Sequence, residues 1–313
     1  MESNRRSFLK RNLALGSGLL FANSIDAVGS VAKKINTIHS SQRNVHIAYT
    51  NDINGQLSPV IQEIGGLEAV SGAVLNYQER SLLLDAGNFL GADAELDSSV
   101  QVITLMNKMG YDAVNIGPAE LAGGVAYLET LVPYMAMPLL NANYRFDSKI
   151  LSKAVVPHIT LNYGKFKIGV TGIGANLSLP GVKVLDPISV LSNISSTLKN
   201  IHHCDLVICL SHLGEPENSD YVNREMATES ANVDMIIAGK NHKEANGLKV
   251  LRNVKGDEVF ITNNQSRGLE HSRLTFNFSE DKARVGVALD HFIPSHDKLG
   301  MLAKLKVLNN NNI

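Results

Sequence analysis

Residues able to bind a metal ion or a phosphate group follow five short apolar runs of the sequence. They lie in segments 51–55, 85–89, 117–120, 211–214 and 239–242. Each segment combines glycine with some of Asp, Asn, Glu, His, Lys or Ser. Carboxylates and imidazoles are ligands for divalent metals, whereas Lys and backbone N–H groups bind phosphate. Because ligand sites of α/β sheets form past the carboxyl ends of strands, we expect these segments to converge on one polar pocket. Turn preference alone would explain any single segment.

Strands and helices alternate around these segments. Short β-rich runs predict strands at 45–50, 81–84, 113–116, 139–140, 205–210 and 233–238, with three more between 248 and 278. Apolar residues at helical spacing predict helices at 67–77, 98–109 and 188–201. A β-hairpin is predicted from 155–161 and 166–171. The alternation indicates one α/β domain.

The composition excludes several classes of protein. The 313 residues are 44% hydrophobic and carry a net charge of -1, so no general basic surface is available for nucleic acid. Aromatic residues make up 5% and Trp is absent, which leaves few side chains for stacking on bases. Two cysteines, Cys204 and Cys209, exclude a disulfide scaffold and a cysteine-built zinc site. We expect both to be small buried hydrophobic residues.

The beginning of the sequence is typical of an export signal. Arg5-Arg6-Ser7-Phe8-Leu9-Lys10 precedes a short apolar stretch, an arrangement that resembles the twin-arginine signal peptide. We therefore predict a signal peptide at 1–32, a linker at 33–44, a domain at 45–295 and a tail at 296–313. The apolar stretch is too short to span a bilayer, so no stable membrane anchor is expected. The predicted location is the bacterial periplasm or cell envelope; a disordered basic tail is the alternative.

The polar segments also resemble the motifs of a known family. They read Thr50-Asn51-Asp52-Ile53-Asn54-Gly55, Leu83-Leu84-Asp85-Ala86-Gly87-Asn88, Gly117-Pro118-Ala119-Glu120, Leu210-Ser211-His212-Leu213-Gly214 and Gly239-Lys240-Asn241-His242. In type and order they are similar to the calcineurin-like metallophosphoesterases, specifically the catalytic domain of bacterial 5'-nucleotidases. The resemblance implies a four-layer α/β/β/α sandwich. It also implies two divalent metal ions that activate water and hold the phosphate.

Most of the metal ligands implied by this resemblance are replaced. Three are retained, namely Asp52, His212 and His242. Five functional positions carry other residues: Asn54 for a ligand His, Asn88 for the bridging Asp, Pro118 for a ligand Asn, Ala119 for a catalytic His and Lys240 for a ligand His. We therefore expect at most one metal ion, impaired or absent hydrolase activity and no assignable catalytic residue.

The remaining polar groups could form an anion pocket instead of a metal centre. Its candidate residues are Asn54, Asn88, Glu120 and Lys240, with the Lys240 ammonium standing where a metal cation stood. The expected ligand would be a phosphorylated small molecule. The alternative is a scaffold that has drifted and binds nothing.

Two further functions stay open at this level. One is an active phosphomonoester hydrolase that uses a residual metal site at Asp52 and His242. The other is a non-catalytic subunit, because the family carries a C-terminal domain that grips the nucleoside, whereas this sequence ends about 35 residues after its last matched strand. A separately encoded nucleotidase C-terminal domain would then be the partner.

Overall fold

The computed structural model describes residues 43–295 except 76, 78, 93, 94, 214, 215 and 240–246, and for 216–221 it describes the backbone alone. The predicted signal peptide and tail lie outside these residues, as does the predicted linker apart from Arg43 and Asn44. Asn44 is already the first residue of a strand. Among the described helices, none is both long and apolar enough to cross a membrane.

Seven strands form the first sheet. They are β1 (Asn44–Thr50), β2 (Leu82–Asp85), β3 (Ala113–Asn115), β4 (Leu139–Leu140), β6 (Val155–Val156), β14 (His271–Phe278) and β15 (Arg284–Phe292). Their order is β15-β14-β1-β2-β3-β4-β6. The strands β1, β2, β3, β4 and β6 run parallel, whereas β14 and β15 are antiparallel to their neighbours. The carboxyl ends of β1, β2 and β3 therefore lie side by side.

Six strands form the second sheet. They are β7 (His158–Tyr163), β8 (Phe166–Gly174), β10 (Leu206–His212), β11 (Met235–Ala238), β12 (Gly247–Arg252) and β13 (Glu258–Asn263), in the order β12-β13-β11-β10-β8-β7. The four central strands are parallel. A separate antiparallel pair consists of β5 (Tyr144–Phe146) and β9 (Val182–Val184).

Helices cover the outer faces of both sheets. They are α1 (Leu67–Val74), α2 (Leu96–Met109), α3 (Gly124–Leu131), α4 (Leu151–Ala154), α5 (Pro187–Ser196) and α6 (Pro216–Glu229). The first four pack on the first sheet, and the last two pack on the second. Between the sheets lies a core that includes Ile47, Tyr163, Ile208 and Phe276. The predicted α/β/β/α sandwich is therefore confirmed.

The helix α2 shows how the sequence sets one of these elements. Val102, Ile103, Met106 and Met109 are its buried apolar residues, at the spacing of one helical face. Gly110 ends the helix with a left-handed backbone (φ 77°), a conformation that glycine adopts without steric cost. The helix carries the chain from one site loop, after β2, back to the strand β3.

Several predicted elements differ from the observed ones. The predicted strand at 155–161 is two strands, because Pro157 lacks an N–H for the ladder: β6 pairs with β4, and β7 pairs with β8 in the other sheet. The first helix ends at Val74 instead of 77. The helix α5 ends at Ser196, and a π-helical turn, Thr197–Ile201, follows it. Neither α6 nor β15 was predicted. Both cysteines are buried and free, as expected.

Candidate functional site

Loops from both sheets meet where the parallel strands end. The loops after β1, β2 and β3 come from the first sheet, and the end of β10 comes from the second. They bring together five buried polar side chains: Asn51, Asp52, Asn88, Glu120 and His212, each at most 8% exposed. The convergence of strand ends expected from the sequence is thus present for four of the five segments. The fifth contributes Gly239, and its residues 240–242 lie outside the described part of the chain.

The carboxylate of Asp52 is the centre of this cluster. Its Oδ1 lies 2.9 Å from Nε2 of His212 and accepts a hydrogen bond from Nδ2 of Asn88 at 3.2 Å. Its Oδ2 accepts a hydrogen bond from Nδ2 of Asn51 at 3.0 Å. Because a carboxylate only accepts hydrogen bonds, His212 donates through Nε2. Three donors of the protein therefore surround Asp52, which is the one carboxylate retained among the metal ligands that the resemblance implies.

The orientation of the Asn88 amide is fixed by the backbone. The N–H of Ala119 donates to Oδ1 of Asn88 at 2.8 Å. A backbone N–H can only donate, so the amide oxygen must face Ala119 and the NH₂ group must face Asp52. The lone pair of an amide nitrogen is delocalised into the carbonyl group and is not available to a metal ion. At the position implied for a bridging carboxylate, this protein thus presents a hydrogen-bond donor.

A second amide is fixed in the same way by a residue that the sequence analysis missed. Asn264, which follows β13, donates its backbone N–H to Oδ1 of Asn51 at 2.8 Å. Its carbonyl oxygen accepts from Nδ2 of Asn51 at 3.1 Å. The available signal in the sequence was Asn263-Asn264-Gln265, a polar run directly after an apolar one but without the glycine of the other segments.

Glu120 holds the loops together instead of facing a ligand. Its carboxylate accepts three backbone hydrogen bonds, from the N–H groups of Gly117 at 2.8 Å, Leu90 at 2.9 Å and Asn88 at 3.0 Å. The side chain is fully buried. Burial raises the pKa of Glu120 to about 7, and the backbone donors oppose that shift. Since these three bonds are all internal, the contacts of Glu120 do not support its predicted place in a phosphate pocket.

Asp85 supports the cluster from the end of β2. Its Oδ2 accepts a hydrogen bond from the hydroxyl of Thr50 at 2.6 Å, and its Oδ1 accepts one from the N–H of Gly87 at 2.8 Å. Burial raises the pKa of Asp85 well above its usual range, and these donors oppose the shift. The residue thereby joins the ends of β1 and β2 beneath the cluster.

The imidazole of His212 packs against the backbone of two glycines, Gly239 and Gly117. A Cβ added to Gly239 would lie 2.2 Å from Cδ2 of His212, and one added to Gly117 would lie 3.1 Å from Cγ. His212 is fully buried. Its Nδ1 has no hydrogen-bond partner among the described residues. The ring is therefore held by packing and by the hydrogen bond from its Nε2 to Asp52.

Three loop residues of the site have a left-handed backbone. The φ angles are 51° for Asp52, 51° for Asn54 and 56° for Asn88. Asn and Asp tolerate this conformation better than other non-glycine residues. The loops are tied to one another by N–H donation from Asp52 to Gly87 O at 3.0 Å and from Asn54 to Asn88 O at 2.8 Å. Backbone geometry is thus one reason for these residue types.

The other predicted site residues lie in different places. Asn54 is exposed and lines a separate surface cavity with Arg267. Ala119 takes part through its backbone N–H, next to Pro118, which begins a short 3₁₀ turn. Lys240 and His242, which carried the anion and residual-metal hypotheses, lie outside the described residues.

The described residues do not fit a dinuclear metal centre. Divalent metals of this kind need several carboxylate and imidazole ligands. Across the described part of the chain, no group of three His, Cys, Asp or Glu side chains is placed to hold a metal ion. Asn88 directs its NH₂ group at Asp52, and His212 is hydrogen-bonded to Asp52. A metal site would therefore depend on residues beyond the described ones.

Comparisons with known proteins agree with the motifs. No family model matches the chain. The chain is 26% identical to a snake venom 5'-nucleotidase of Crotalus adamanteus over 217 residues, which cover 62% of this chain and 36% of that protein. It is 26% identical to an apyrase of Tabanus yao over 222 residues, covering 66% and 39%. The chain thus spans less than two fifths of the length of these curated relatives.

The fold has solved counterparts. The crystal structure of a 5'-nucleotidase precursor from Thermus thermophilus superposes with a TM-score of 0.70 and 19% identity, covering 85% of this chain and 58% of that one. The resemblance that the motifs indicate is thereby confirmed. This chain has the fold of the N-terminal metallophosphoesterase domain of 5'-nucleotidases, and its relatives are 5'-nucleotidases and calcineurin-like phosphoesterases.

Proposed function

We propose that this protein is an exported binding protein built on the metallophosphoesterase fold, without metal-dependent hydrolysis. The observation that carries the proposal is the Asp52 carboxylate, which accepts hydrogen bonds from Asn51, Asn88 and His212. In a dinuclear centre these directions would be occupied by metal ions. Here the protein's own donors occupy them.

The charge balance supports the same conclusion. Two divalent ions 4 Å apart repel each other by about 17 kcal/mol at an effective dielectric constant near 20. A bridging carboxylate normally offsets part of that repulsion. At this position Asn88 is neutral and presents its NH₂ group. Two cations would therefore lack both the bridging ligand and its charge.

The test is an assay of metal content and turnover on the full chain. Purified protein should contain no stoichiometric Mn, Fe, Co or Zn. It should hydrolyse neither AMP nor p-nitrophenyl phosphate above the rate of Asp52→Ala when Mn²⁺ or Zn²⁺ is added. Turnover that requires a metal and disappears in Asp52→Ala would overturn the proposal and favour a residual site at Asp52 and His242.

Export is the second part of the proposal and rests on the residues Arg5-Arg6-Ser7-Phe8-Leu9-Lys10. Replacement of Arg5 and Arg6 by Lys keeps the positive charge but removes the arginine pair. We expect the wild-type chain in the periplasmic fraction and the Lys variant in the cytoplasm. Equal fractionation of the two chains would contradict a twin-arginine route.

A further inference from the structure

A cavity of about 440 Å³ opens beside the Asp52 cluster. The described residues that line it are Asn54, Gly55, Gly91, Ala92, Ser98, Ser99, Val102 and Arg267. Its volume is within the range of small-molecule sites in proteins. It differs from the metal position, because neither Asp52 nor His212 is among its lining residues.

Three side chains in this lining are free to bind a ligand. Asn54, Ser98 and Arg267 form no side-chain hydrogen bond or ion pair with any described residue, whereas the side-chain amides of Asn51 and Asn88 are hydrogen-bonded to Asp52. Together they offer an amide, a hydroxyl and a guanidinium. All three groups donate hydrogen bonds, and the guanidinium adds a positive charge in a planar fork suited to an oxyanion.

The charge of the lining favours an anion. Arg267 is the one charged residue among the described residues that line the cavity. Glu95 and Asp97, at the start of α2, are not part of that lining. Among the described lining residues, an oxyanion would therefore meet a cation and neutral donors and no carboxylate.

The backbone holds Arg267 in place. Its N–H donates to the carbonyl oxygen of Asp52 at 2.7 Å, and its own carbonyl oxygen accepts from the N–H of Gly66 at 2.9 Å. Its φ is 58°, a conformation that costs free energy for a non-glycine residue. On the opposite wall, a Cβ added to Gly55 would lie 3.0 Å from N of Gly91, so the two glycines keep the loops in contact. Backbone hydrogen bonds and the close Gly55–Gly91 approach thus hold these described parts of the lining.

We propose that this cavity binds a small organic oxyanion through Arg267, Asn54 and Ser98. The proposal deepens the binding role proposed above and rests on it. It differs from the pocket expected from the sequence, since of those residues only Asn54 contributes. Val102 supplies an apolar wall for the organic part of the ligand.

The test is isothermal titration of the full chain with orthophosphate, AMP and malate, which distinguish an inorganic anion, a phosphate ester and a carboxylate. We expect saturable binding of AMP or malate, and weaker binding of orthophosphate, which has no organic part to contact Val102. Arg267→Gln should weaken it about 10- to 100-fold, and Asn54→Ala and Ser98→Ala about 3- to 10-fold each. Arg252→Gln, the same change on an exposed strand, should alter binding less than about twofold.

Three results would overturn the inference: no saturable binding of AMP or malate, undiminished binding in Arg267→Gln, or equal weakening in Arg252→Gln. If Arg267→Gln does not fold, as judged by circular dichroism, the Asn54→Ala and Ser98→Ala variants decide. The two proposals fail separately. Metal-dependent turnover would overturn the loss of hydrolysis, whereas absence of binding in an inactive protein would overturn the oxyanion site alone.

Discussion

The backbone N–H of Ala119 donates a hydrogen bond to Oδ1 of Asn88 at 2.8 Å and thereby turns the NH₂ group of that amide toward Asp52. A carboxylate at position 88 could also accept from Ala119. It would, however, place a second acidic oxygen beside Asp52. The surroundings of residue 88 therefore favour the amide of Asn over the carboxylate of Asp.

The first prediction concerns Asn88→Asp. Two buried carboxylates this close cannot both ionise readily, so the new acid should have a raised pKa in the folded state. We expect the free energy of unfolding at pH 7.5 to fall by about 2–4 kcal/mol. Since a raised pKa favours folding at low pH, the loss should be smaller at pH 5. Urea denaturation at both pH values measures it.

The matched control is Asn162→Asp, on an exposed position of β7. It adds the same charge without burying it and should change stability by less than about 0.5 kcal/mol. Equal stability of the two variants at pH 7.5 would show that a carboxylate at position 88 does not destabilise the fold.

The second prediction concerns Gly239→Ala. The new Cβ would lie 2.2 Å from Cδ2 of His212, whose ring is fully buried. We expect a loss of about 2–3 kcal/mol in stability, measured by thermal denaturation. Gly72→Ala is the control, because a Cβ there meets nothing within 4 Å and lies within α1. It should instead gain about 0.5–1 kcal/mol from helix propensity. Destabilisation of both variants to the same extent would contradict this account.

The third prediction concerns the pH dependence of stability. Burial raises the pKa of Glu120 to about 7, so the folded chain keeps a proton that the unfolded chain releases near its ordinary value. The stabilisation is complete below the unfolded pKa and is lost as the pH rises through about 7. From Glu120 alone the loss is about 3 kcal/mol. Burial also lowers the pKa of His271 to about 4, and this shift has the opposite effect on the pH dependence. The Glu120 contribution is therefore measured as the difference between the wild type and Glu120→Gln in urea denaturation from pH 4 to 8.

Glu120→Gln should flatten part of that decline, because the amide does not titrate. It should also lower stability near pH 5, since an NH₂ group would face one of the three backbone donors. Glu68→Gln, at an exposed position of α1, should leave the profile unchanged. A Glu120→Gln profile that paralleled the wild type would show that Glu120 does not titrate in this range.

The fourth prediction is that the dinuclear metal centre implied by the family resemblance can be built into this fold. The required substitutions are Asn54→His, Asn88→Asp, Pro118→Asn, Ala119→His and Lys240→His. The combined variant should bind divalent metals and hydrolyse p-nitrophenyl phosphate in the presence of Mn²⁺, whereas the wild type should do neither. Elemental analysis and the initial rate measure the two effects. Adding Asp52→Ala should abolish both; a rebuilt chain without bound metal would show that the fold has changed elsewhere too.

The sequence predicted the sandwich and most of the strands that carry the site. The strongest signal was the repeated arrangement of an apolar run followed by Asp, Asn or His with glycine, since parallel strands end at a common edge. The short strand β6 was wrongly joined to β7, because two residues carry no periodicity that assigns them to a sheet. The helix α6 was missed because its sequence, PENSDYVNREMATE, has few apolar residues.

The site itself was only partly predictable. Sequence reasoning placed Asp52, Asn88, Glu120 and His212 in one region, where the structure brings them together. It could not show that the Asn88 amide faces Asp52, because that orientation depends on the N–H of Ala119, 31 residues away. It also missed Asn264, since the pairing with Asn51 spans 213 residues. Arg267 was missed for the same reason: it reaches the cavity through a turn after the second sheet.

The two hydrogen bonds between the Asn51 side chain and the Asn264 backbone also join the two sheets. Asn51 follows β1 of the first sheet, and Asn264 follows β13 of the second. Nearby, the hydroxyl of Tyr49 is hydrogen-bonded to that of Thr262, again across the two sheets. Separation of the sheets would break these buried hydrogen bonds and the apolar packing between the sheets together. The two halves of the sandwich should therefore open as a single cooperative unit, with amide hydrogens of β1 and β13 exchanging at the same free energy of opening.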